Sequence, residues 1–354
     1  MRPCRLLIVD DSTVIRRALT VALSREPRVA VAESASGGRI ALMKIPLLKP
    51  DVVALDVQMP EMDGLETLAA IRRMYPRLPI IMLNVATAQA AAATVDALTH
   101  GANEYVMKPD GPVPSDEALQ TLADDLMSKI DVCLAGVGWR PVGGTRGGDV
   151  TRTPRRVDVV AIGVSTGGPA ALMEMIPKFP ADFPVPILIV QHMPPIFTKL
   201  LAERLALRAS IAVAEGALSH LLTPGHAWIA PGGLHMAVEC DGEAVRLTTH
   251  RDPPENSCRP AVDVLFRSVA HVYGPRALAV VMTGMGQDGL RGCKQIQAAG
   301  GQVLVQDEPS SVVWGMPGIV ARSGLADRVL PLSELGAEII ERVYRHRQAP
   351  CVAV

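Results

Sequence analysis

The chain has 354 residues, more than one typical domain needs, and 49% of them are apolar, so two domains with separate cores are expected. Its 35 basic and 36 acidic side chains nearly cancel, which gives no support to a nucleic-acid or other polyanionic partner. The opening segment MRPCRLLIVDD meets paired acids too early for a signal peptide, and no apolar run approaches the length of a membrane span. The 6 scattered cysteines, without a C-x-x-C pair, indicate reduced thiols, and a cytoplasmic location is expected.

Residues 5–134 alternate between short apolar runs and segments with helical spacing. The runs RLLIV, VAVAE, DVVALD, PIIML and NEYVM are predicted strands, and STVIRRALTVAL is a predicted helix. This alternation favours a parallel sheet covered by helices on both faces. Residues 136–156, GVGWRPVGGTRGGDVTRTPRR, are rich in Gly, Arg, Thr and Pro and predict a flexible linker. The expected domains are therefore residues 1–135 and 157–350.

The alternation resumes from Val157, with candidate strands in VDVVAIG, VPILIVQ, HAWIAP, ALAVVMTG and GQVLVQ. Helical spacing is found in PIFTKLLAERLAL and AVDVLFRSVAHVY. The segment from His226 to Thr249 differs, because its short strand-like pieces, with DGE between two of them, predict an antiparallel hairpin at the edge. The second half is thus expected to be a doubly wound, mainly parallel α/β domain with an antiparallel hairpin edge.

Charged side chains follow three of the predicted strands in the first half. Asp10 and Asp11 follow the first strand, Asp56 ends the third, and Lys108 follows the fifth. Because the carboxyl ends of parallel strands face one crevice, these groups are expected to converge there. Carboxylates that repel one another suit Mg²⁺, and an Asp beside Mg²⁺ and a lysine can accept a phosphoryl group. Helix capping is the alternative role for one such acid, but the whole set at three strand ends favours a phosphoryl-accepting site.

These residues resemble the receiver domain of response regulators. The resemblance implies a flavodoxin-like sheet for the first half, with Asp56 as the phosphorylated residue. It implies that Asp11 and Asp56 bind Mg²⁺ through their carboxylates and that Gln58 binds it through its backbone carbonyl. Asp10 would support the metal site.

The same resemblance assigns contacts around the phosphoryl group. Lys108 would contact the phosphate, and Tyr105 matches the aromatic switch position. The family usually has Thr or Ser where IIMLN places Asn84. An asparagine can still donate a hydrogen bond to a phosphate oxygen, but it is larger than serine, so a weaker or differently tuned switch is expected.

A glycine-rich turn follows the first predicted strand of the second half. The stretch AIGVSTGGP satisfies G-x-S-x-G, a pattern that puts Ser165 on a sharp strand-to-helix turn with its hydroxyl exposed. The helix N-terminus beyond the turn offers N–H groups to a developing oxyanion. The stretch has neither the G-x-G-x-x-G of a dinucleotide loop nor the lysine of a P-loop. A helix-capping serine in a tight turn remains the alternative at this point.

A serine nucleophile needs a base, and the base needs an orienting acid. His192 follows the apolar run ILIVQ, and Asp288 lies in the glycine-rich loop TGMGQDG past a later strand. Both are therefore expected at the same edge of the sheet as Ser165. His226 and His235 flank AWIAPGGL, but a metal site there would need a third ligand at a suitable spacing, and none is present in the sequence.

The second half closely resembles the catalytic domain of the chemotaxis protein-glutamate methylesterases, the CheB family. The resemblance rests on IGVSTGGP, VQHMPP, HAWIAPGGLHM, RPAVDVLFRSVA, TGMGQDG and QDEPSSVVWGMPG, which occur in this order after a receiver and a linker. It implies hydrolysis of γ-glutamyl methyl esters on methyl-accepting chemotaxis receptors, with release of methanol. It also implies deamidation of specific receptor glutamines.

The resemblance also implies the catalytic roles. Ser165 would be the nucleophile, His192 the base and Asp288 the orienting acid. Met285 matches a backbone donor to the oxyanion, and Thr166 matches a residue that helps to arrange the site. The esterase chemistry needs no cofactor, so Mg²⁺ belongs to the receiver alone. The implied partners are the receptors and a chemotaxis histidine kinase as phosphodonor, with contact to the membrane only through the receptors.

Two other functions remain open from the residues alone. The second half could be a binding module without catalysis, although the complete Ser, His and Asp set argues against this. It could also be a serine esterase that acts on a small metabolite, because only the resemblance indicates the substrate class. Whether the enzyme acts on receptors or on a small metabolite, the receiver domain in the same chain predicts that phosphorylation regulates it.

Overall fold

The computed structural model describes residues 2–85, 87–109, 115–138, 155–242, 244–345 and 347. The chain divides into two compact units, Met1–Trp139 and Arg140–Val354. Most of the expected linker, residues 139–154, lies outside the described residues. The domain boundaries expected from composition therefore stay predictions.

The first unit contains a parallel sheet of five strands: β1 (Cys4–Val9), β2 (Val29–Ala35), β3 (Val52–Asp56), β4 (Ile80–Asn84) and β5 (Glu104–Met107). The strands pair in the order β2-β1-β3-β4-β5, which is the flavodoxin-like order. Every residue of β3 and β4 is buried, because helices cover the sheet and leave no solvated face. The five apolar runs predicted as strands are confirmed.

The helices of this unit are α1 (Thr13–Leu23), α2 (Gly38–Leu48), α3 (Gly64–Met74), α4 (Ala88–Thr99) and α5 (Asp116–Gly138). In α1, Ile15, Leu19 and Leu23 are buried at four-residue spacing, which places them on one helix face in the core. Ser12 caps this helix by accepting a hydrogen bond from the N–H of Ile15 at 3.4 Å. The predicted helix is confirmed. Because β1 ends at Val9 and α1 begins at Thr13, Asp10 and Asp11 lie in the loop between them.

The second unit contains β6 (Val159–Val164), β7 (Ile187–Gln191), β8 (Ala212–Glu215), β9 (His226–Ile229), β10 (His235–Asp241), β11 (Ala244–His250), β12 (Ala277–Val281), β13 (Gln302–Gln306) and β14 (Arg328–Leu330). Seven of these strands form one parallel sheet in the order β14-β13-β12-β6-β7-β9-β8. The strands that precede Ser165, His192 and the loop of Asp288 are β6, β7 and β12, which are neighbours at the centre of the sheet.

The predicted hairpin is present as β10 and β11, which pair antiparallel with Asp241 opposite Ala244. These two strands form a sheet of their own, whereas β9, from the same predicted segment, is a parallel strand of the main sheet. Ala237 of β10 packs in a small core cluster that includes Val264. The sequence did not predict β8 or β14, which have only four and three residues.

The helices of the second unit are α6 (Gly168–Met175), α7 (Phe197–Ala206), α8 (Val262–Tyr273), α9 (Leu290–Ala298), α10 (Met316–Arg322) and α11 (Leu332–Tyr344). The two segments with helical spacing in this half are α7 and α8, and the helix predicted after the turn of Ser165 is α6. Leu265, Phe266 and Val269 of α8 pack in a core cluster with side chains of the central strands. Within the described part of the chain, none of the helices combines the length and apolarity that crossing a bilayer requires.

Candidate functional sites

An acidic site lies at the carboxyl end of the sheet in the first unit. Asp10 and Asp56 are almost completely buried, with 0% and 3% of their surface exposed. One carboxylate oxygen from each, together with one from the exposed Asp11, lies within 4.8 Å of the other two. Burying carboxylates without a compensating positive charge is costly, and a set that contains only oxygen donors suits a hard divalent cation such as Mg²⁺.

Lys108 brings a positive charge to this acidic site. Its Nζ lies 2.7 Å from Asp56 Oδ1 and 3.1 Å from Asp10 Oδ2. Burial and the neighbouring charge of Asp10 raise the pKa of Asp56 to about 6, although Lys108 opposes this change. Burial lowers the pKa of Lys108, but the two carboxylates outweigh burial and raise it above its ordinary value. The lysine therefore stays charged beside the predicted phosphoryl acceptor.

The loop after Asp56 packs tightly against the start of α3. A Cβ added at Gly64 would lie 2.2 Å from the backbone oxygen of Asp56, so only glycine fits there. Asp63 accepts a hydrogen bond from the N–H of Glu66 at 2.8 Å, and Glu66 accepts one from the N–H of Asp63 at 3.2 Å, which forms a capping box. The backbone N–H of Gln58 donates to Asp56, while its predicted metal contact through the carbonyl stays a prediction.

Asn84 is buried and is hydrogen-bonded to α4. Its Nδ2 donates to the backbone oxygen of Ala90 and to Thr94 Oγ1, and its Oδ1 accepts from the N–H of Val85 at 2.8 Å. A phosphoryl contact through Nδ2 would require these contacts with α4 to change. Tyr105 is half-buried in β5, and burial raises its pKa well above the ordinary range. The switch roles of Asn84 and Tyr105 stay predictions.

Ser165 lies in the turn between β6 and α6. Its N–H donates to the backbone oxygen of Thr283 at 3.0 Å. Its own backbone oxygen accepts from the N–H of Gly168 at 2.8 Å and from Gln191 Nε2 at 3.0 Å. Gly167 has φ 75, and a Cβ there would lie 2.5 Å from a valine methyl group, so the turn requires glycine. The serine backbone is thus held by the neighbouring strands and by the start of α6.

The register of β6 and β7 makes Ser165 and His192 neighbours. Val164 pairs with Gln191, and each is the last residue of its strand. The next residue of each strand therefore leaves the sheet beside the other, and the N–H of His192 donates to the backbone oxygen of Val164 at 3.2 Å. A Cβ added at Gly284, in the loop after β12, would lie 2.8 Å from the Cβ of Ser165. Three central strands therefore bring their following segments to one place, as predicted.

His192 and Asp288 form a hydrogen-bonded pair. The distance from His192 Nε2 to Asp288 Oδ2 is 2.8 Å, and the two side chains are 12% and 2% exposed. The Asp288 carboxylate also accepts from the N–H of Val262 at 2.6 Å, of Asp263 at 3.0 Å and of Gly289 at 3.0 Å. Two of these donors belong to the start of α8, where the helix dipole favours a negative charge. The carboxylate is therefore fixed in position and ionised.

The pKa values of this pair move apart. Burial lowers the pKa of His192, but the hydrogen bond to Asp288 and the contact with Cys258 outweigh burial and raise it to about 9. Burial raises the pKa of Asp288, but His192 and the backbone donors outweigh burial and hold it below the ordinary value. The surroundings thus stabilise the protonated form of His192, which is the form that a general base reaches when it takes a proton.

A tight turn that sequence reasoning did not predict completes this site. Glu255 and Cys258 exchange backbone hydrogen bonds of 3.1 and 2.9 Å, and the residues between them, Asn256 and Ser257, have φ of 51 and 62. This is the pattern of a type I′ turn. Bidentate contacts of 2.6 and 3.2 Å join Glu255 to Arg267 of α8 and anchor the turn.

The turn places two side chains against the His192–Asp288 pair. Asn256 Nδ2 donates to Asp288 Oδ1 at 2.9 Å and to Asp263 Oδ2 at 3.0 Å, while Cys258 contacts the ring of His192. The asparagine is a local signal for a turn. No local signal indicates that this turn reaches Asp288, which is 32 residues away from Asn256.

The predicted oxyanion region lies between the start of α6 and the loop after β12. Thr166 is 6% exposed, and its backbone oxygen accepts from Thr283 Oγ1 at 2.8 Å. Met285 is 52% exposed, and its N–H donates to none of the residues that the structure describes. Gly284 anchors the loop, because its backbone oxygen accepts from the N–H of Met316 at 2.8 Å. The roles of Thr166 and Met285 stay predictions.

Comparison with protein families gives a match in each unit. The model of the response regulator receiver domain matches residues 6–120, and the model of the CheB methylesterase matches residues 160–339. The two family resemblances seen in the sequence are therefore confirmed.

Two curated relatives match almost the whole chain, and a solved structure matches the second half. The chain is 50% identical over 350 residues to the protein-glutamate methylesterase/protein-glutamine glutaminase of Trichodesmium erythraeum (strain IMS101), covering 96% of this chain and 99% of that protein. It is 44% identical to the protein of the same name from Nocardioides sp. (strain ATCC BAA-499 / JS614), covering 97% and 96%. The crystal structure of the Thermotoga maritima CheB methylesterase catalytic domain is similar, with a TM-score of 0.52 and 40% identity over 53% of this chain and 99% of that one. The chain therefore belongs to the CheB methylesterase family and combines the methylesterase domain with a receiver domain.

Proposed function

We propose that this protein is a phosphorylation-activated protein-glutamate methylesterase and protein-glutamine glutaminase that serves adaptation in chemotaxis. The observation that carries the proposal is the His192–Asp288 pair, which lies beside Ser165 at the ends of adjacent central strands. The name shared by the curated relatives supports the substrate class. The substrates are methyl-esterified glutamates and specific glutamines of methyl-accepting chemotaxis receptors.

The first half of the reaction acylates Ser165. Its Oγ attacks the carbonyl carbon of the glutamyl ester while the hydroxyl proton passes to His192. Because Nε2 of His192 is held by Asp288, Nδ1 is the nitrogen that accepts this proton. Asp288 stabilises the imidazolium, which then gives the proton to the departing methoxide. Methanol leaves, and the glutamyl group remains on Ser165 as an ester.

The second half of the reaction hydrolyses this ester. His192 takes a proton from water as the water oxygen attacks the acyl carbon, and it returns the proton to the Oγ of Ser165 as the bond breaks. The product is a glutamate carboxylate. With a glutamine substrate, ammonia replaces methanol as the first leaving group, and the second half is unchanged.

Backbone N–H groups stabilise the oxyanion in both halves. The N–H of Met285 is one donor, because the loop after β12 packs against Ser165 at Gly284. Thr166 contributes by fixing this turn to the loop after β12, through the 2.8 Å hydrogen bond that Thr283 donates to its backbone oxygen. Removing one such donor typically costs about 3 kcal/mol of transition-state stabilisation.

In the receiver, Asp56 accepts a phosphoryl group from a chemotaxis histidine kinase. Asp11, Asp56 and the backbone oxygen of Gln58 would hold Mg²⁺, with support from Asp10, because carboxylate oxygens of the three aspartates converge at one position. When bound, the cation would supply positive charge that offsets the charge of the phosphoryl group during transfer. Lys108 contacts the phosphoryl oxygens from its position beside Asp56, and Asn84 and Tyr105 transmit the change.

The protein works in the cytoplasm and meets the membrane only through the receptors on which it acts. Phosphorylation of Asp56 raises the methylesterase rate by shifting a two-state equilibrium of the protein. No nucleic acid takes part in this function.

The test is methanol release from methylated receptor membranes. Ser165→Ala should lower the rate about 10⁴- to 10⁶-fold without unfolding the protein. Ser323→Ala is a matched control, because Ser323 is exposed at the end of α10 and its Oγ donates to the backbone oxygen of Ile319. A folded Ser165→Ala protein that keeps the wild-type rate would contradict the proposal. Wild-type protein that hydrolyses small esters but leaves receptors methylated would favour an esterase for small metabolites.

A further inference from the structure

A side-chain cluster beside the proposed catalytic pair contains a donor that the reaction does not use. Cys258 Sγ, one ring nitrogen of His192 and one carboxylate oxygen of Asp288 all lie within 4.8 Å of one another. Cys258 and His192 are half-buried, so solvent reaches this cluster, whereas Asp288 is buried. The proposed ester hydrolysis uses the imidazole and the carboxylate but gives the thiol no role.

We propose that Cys258, His192 and Asp288 form a binding site for Zn²⁺ or a chemically similar divalent cation, and that the bound cation inhibits hydrolysis. Thiolate, imidazole and carboxylate are the three ligand types that Zn²⁺ takes in proteins, commonly with a water at the fourth tetrahedral position. Mg²⁺ prefers oxygen ligands and suits the carboxylate site of the receiver instead. These two clusters therefore select different metals by their donor atoms.

The backbone around Cys258 holds the thiol in place. The type I′ turn is closed by two hydrogen bonds between Glu255 and Cys258, and Arg267 fixes Glu255 to α8. Ser257 occupies a left-handed conformation that serine rarely adopts, so the surrounding contacts maintain this turn at a cost. A thiol presented by such a turn loses little freedom when it binds a metal.

A metal site also requires an outer layer of hydrogen bonds that orients its ligands. Asp288 has this layer, because the N–H groups of Val262, Asp263 and Gly289 and the Nδ2 of Asn256 all donate to its carboxylate. These donors hold the carboxylate whether its Oδ2 faces the proton of His192 or a cation. The site therefore needs little rearrangement beyond the loss of protons.

The inhibition follows from the chemistry of the imidazole ring. Because Asp288 Oδ2 lies 2.8 Å from Nε2 of His192, a cation that this carboxylate binds lies on Nε2. The cation confines the remaining ring proton to Nδ1, which then cannot accept the proton of Ser165. Binding releases the thiol proton of Cys258 and, from the imidazolium, one ring proton to solvent. The base is therefore lost without any covalent change of the protein, and removal of the metal restores it.

Metal binding can be measured without reference to catalysis. Full-length protein titrated with CoCl₂ should develop a sulfur-to-cobalt charge-transfer band, which the oxygen-only receiver site cannot produce. The band should be absent from Cys258→Ser and retained by Cys240→Ser, since Cys240 is exposed on β10 and lies outside this cluster. In wild-type protein, ZnCl₂ should slow the alkylation of Cys258 by iodoacetamide but not that of Cys240, with peptide mass spectrometry as the readout. This second measurement needs no variant.

The inhibition rests on the proposed function and is measured separately by methanol release. ZnCl₂ should inhibit the wild-type protein and Cys240→Ser, and a chelator that prefers Zn²⁺ to Mg²⁺ should restore both. In Cys258→Ser, the ZnCl₂ concentration for half-inhibition should be at least about tenfold higher, because loss of even a residue that hydrogen-bonds to a metal ligand lowers metal affinity about 10- to 100-fold. The rate of each protein is expressed relative to its own rate without metal. No charge-transfer band and no protection of Cys258 would overturn the metal site. A Cys258-dependent band in a protein that releases no methanol would keep the site and remove the proposed function.

Discussion

Replacing Asp288 with asparagine removes the charge that faces His192 and keeps the size of the side chain. In the wild-type protein the two side chains are 2.8 Å apart. Against the effect of burial, Asp288 and Cys258 raise the pKa of His192 from 6.5 to about 9. Since one pKa unit corresponds to about 1.4 kcal/mol, the net shift stabilises the protonated ring by about 3 kcal/mol, and the hydrogen bond to Asp288 is the largest of the contributions that raise the pKa. Acylation forms this protonated ring, so Asp288→Asn should lower kcat/KM about 10²-fold or more where the ring is neutral in both proteins.

The loss should depend on pH in one direction. A general base must be neutral to act, so kcat/KM of the wild-type protein should rise with pH until about pH 9. Without the charge of Asp288, the pKa of His192 falls toward 6.5, and the profile of the variant should level off near neutral pH. Each pH unit below the pKa lowers the neutral fraction about tenfold, so the wild-type advantage should grow by roughly one to two powers of ten between pH 7 and pH 9.

The assay is methanol release from methylated receptor membranes over this pH range, with circular dichroism to verify folding. Asp263→Asn is the matched control, because Asp263 is also buried at 1% exposure and also accepts from Asn256, but it is not the hydrogen-bond partner of His192. This control should keep the alkaline rise of the wild-type profile. If Asp288→Asn also kept that rise, or lost the same factor at every pH, the account of His192 as a base stabilised by Asp288 would be refuted.

Three further substitutions test other parts of the protein. Gly284→Ala adds a Cβ 2.7 Å from Met316 Sδ and 2.8 Å from Ser165 Cβ, so it should lower the free energy of unfolding by about 1–3 kcal/mol and also lower kcat. Thermal melting measures the stability, and methanol release measures kcat. Unchanged values would contradict the close packing of Gly284 against Ser165. Asp56→Asn should abolish Mg²⁺-dependent labelling by a small phosphodonor, whereas an acid-stable phosphoserine in the wild-type protein would show the acceptor to be wrong. Asn84→Ser should change the ratio of phosphorylated to unphosphorylated methylesterase rate more than it changes the extent of phosphorylation, because serine is too short to keep the contacts of Asn84 with α4. If both proteins were activated equally at equal phosphorylation, Asn84 would have no special role.

The sequence alone predicted where the central strands begin and end along the chain. A strand buried on both faces must be apolar along its whole length, so runs such as RLLIV and DVVALD mark β1 and β3 without knowledge of any contact. The polar residue directly after such a run must lie at the carboxyl end of the sheet. Asp10, Asp56, Ser165 and His192 could be placed in this way. The strands near the edges of the second sheet could not be predicted in this way. β8 and β14 are too short to form a distinct apolar run, and the membership of β9 in the parallel sheet depends on its pairing with β7.

The contacts that tune the sites were decided only by the tertiary structure. The sequence places Asn84 at the end of β4 but does not show that its amide is hydrogen-bonded to α4. It shows six separated cysteines, yet only the folded chain brings Cys258 to His192 and Asn256 to Asp288. Apolar patterns and turn signals act over a few neighbouring residues, and they determine which elements form and where a strand ends. The meeting of side chains that are tens of residues apart depends on sheet order, register and loop packing, and no short stretch of sequence encodes these by itself.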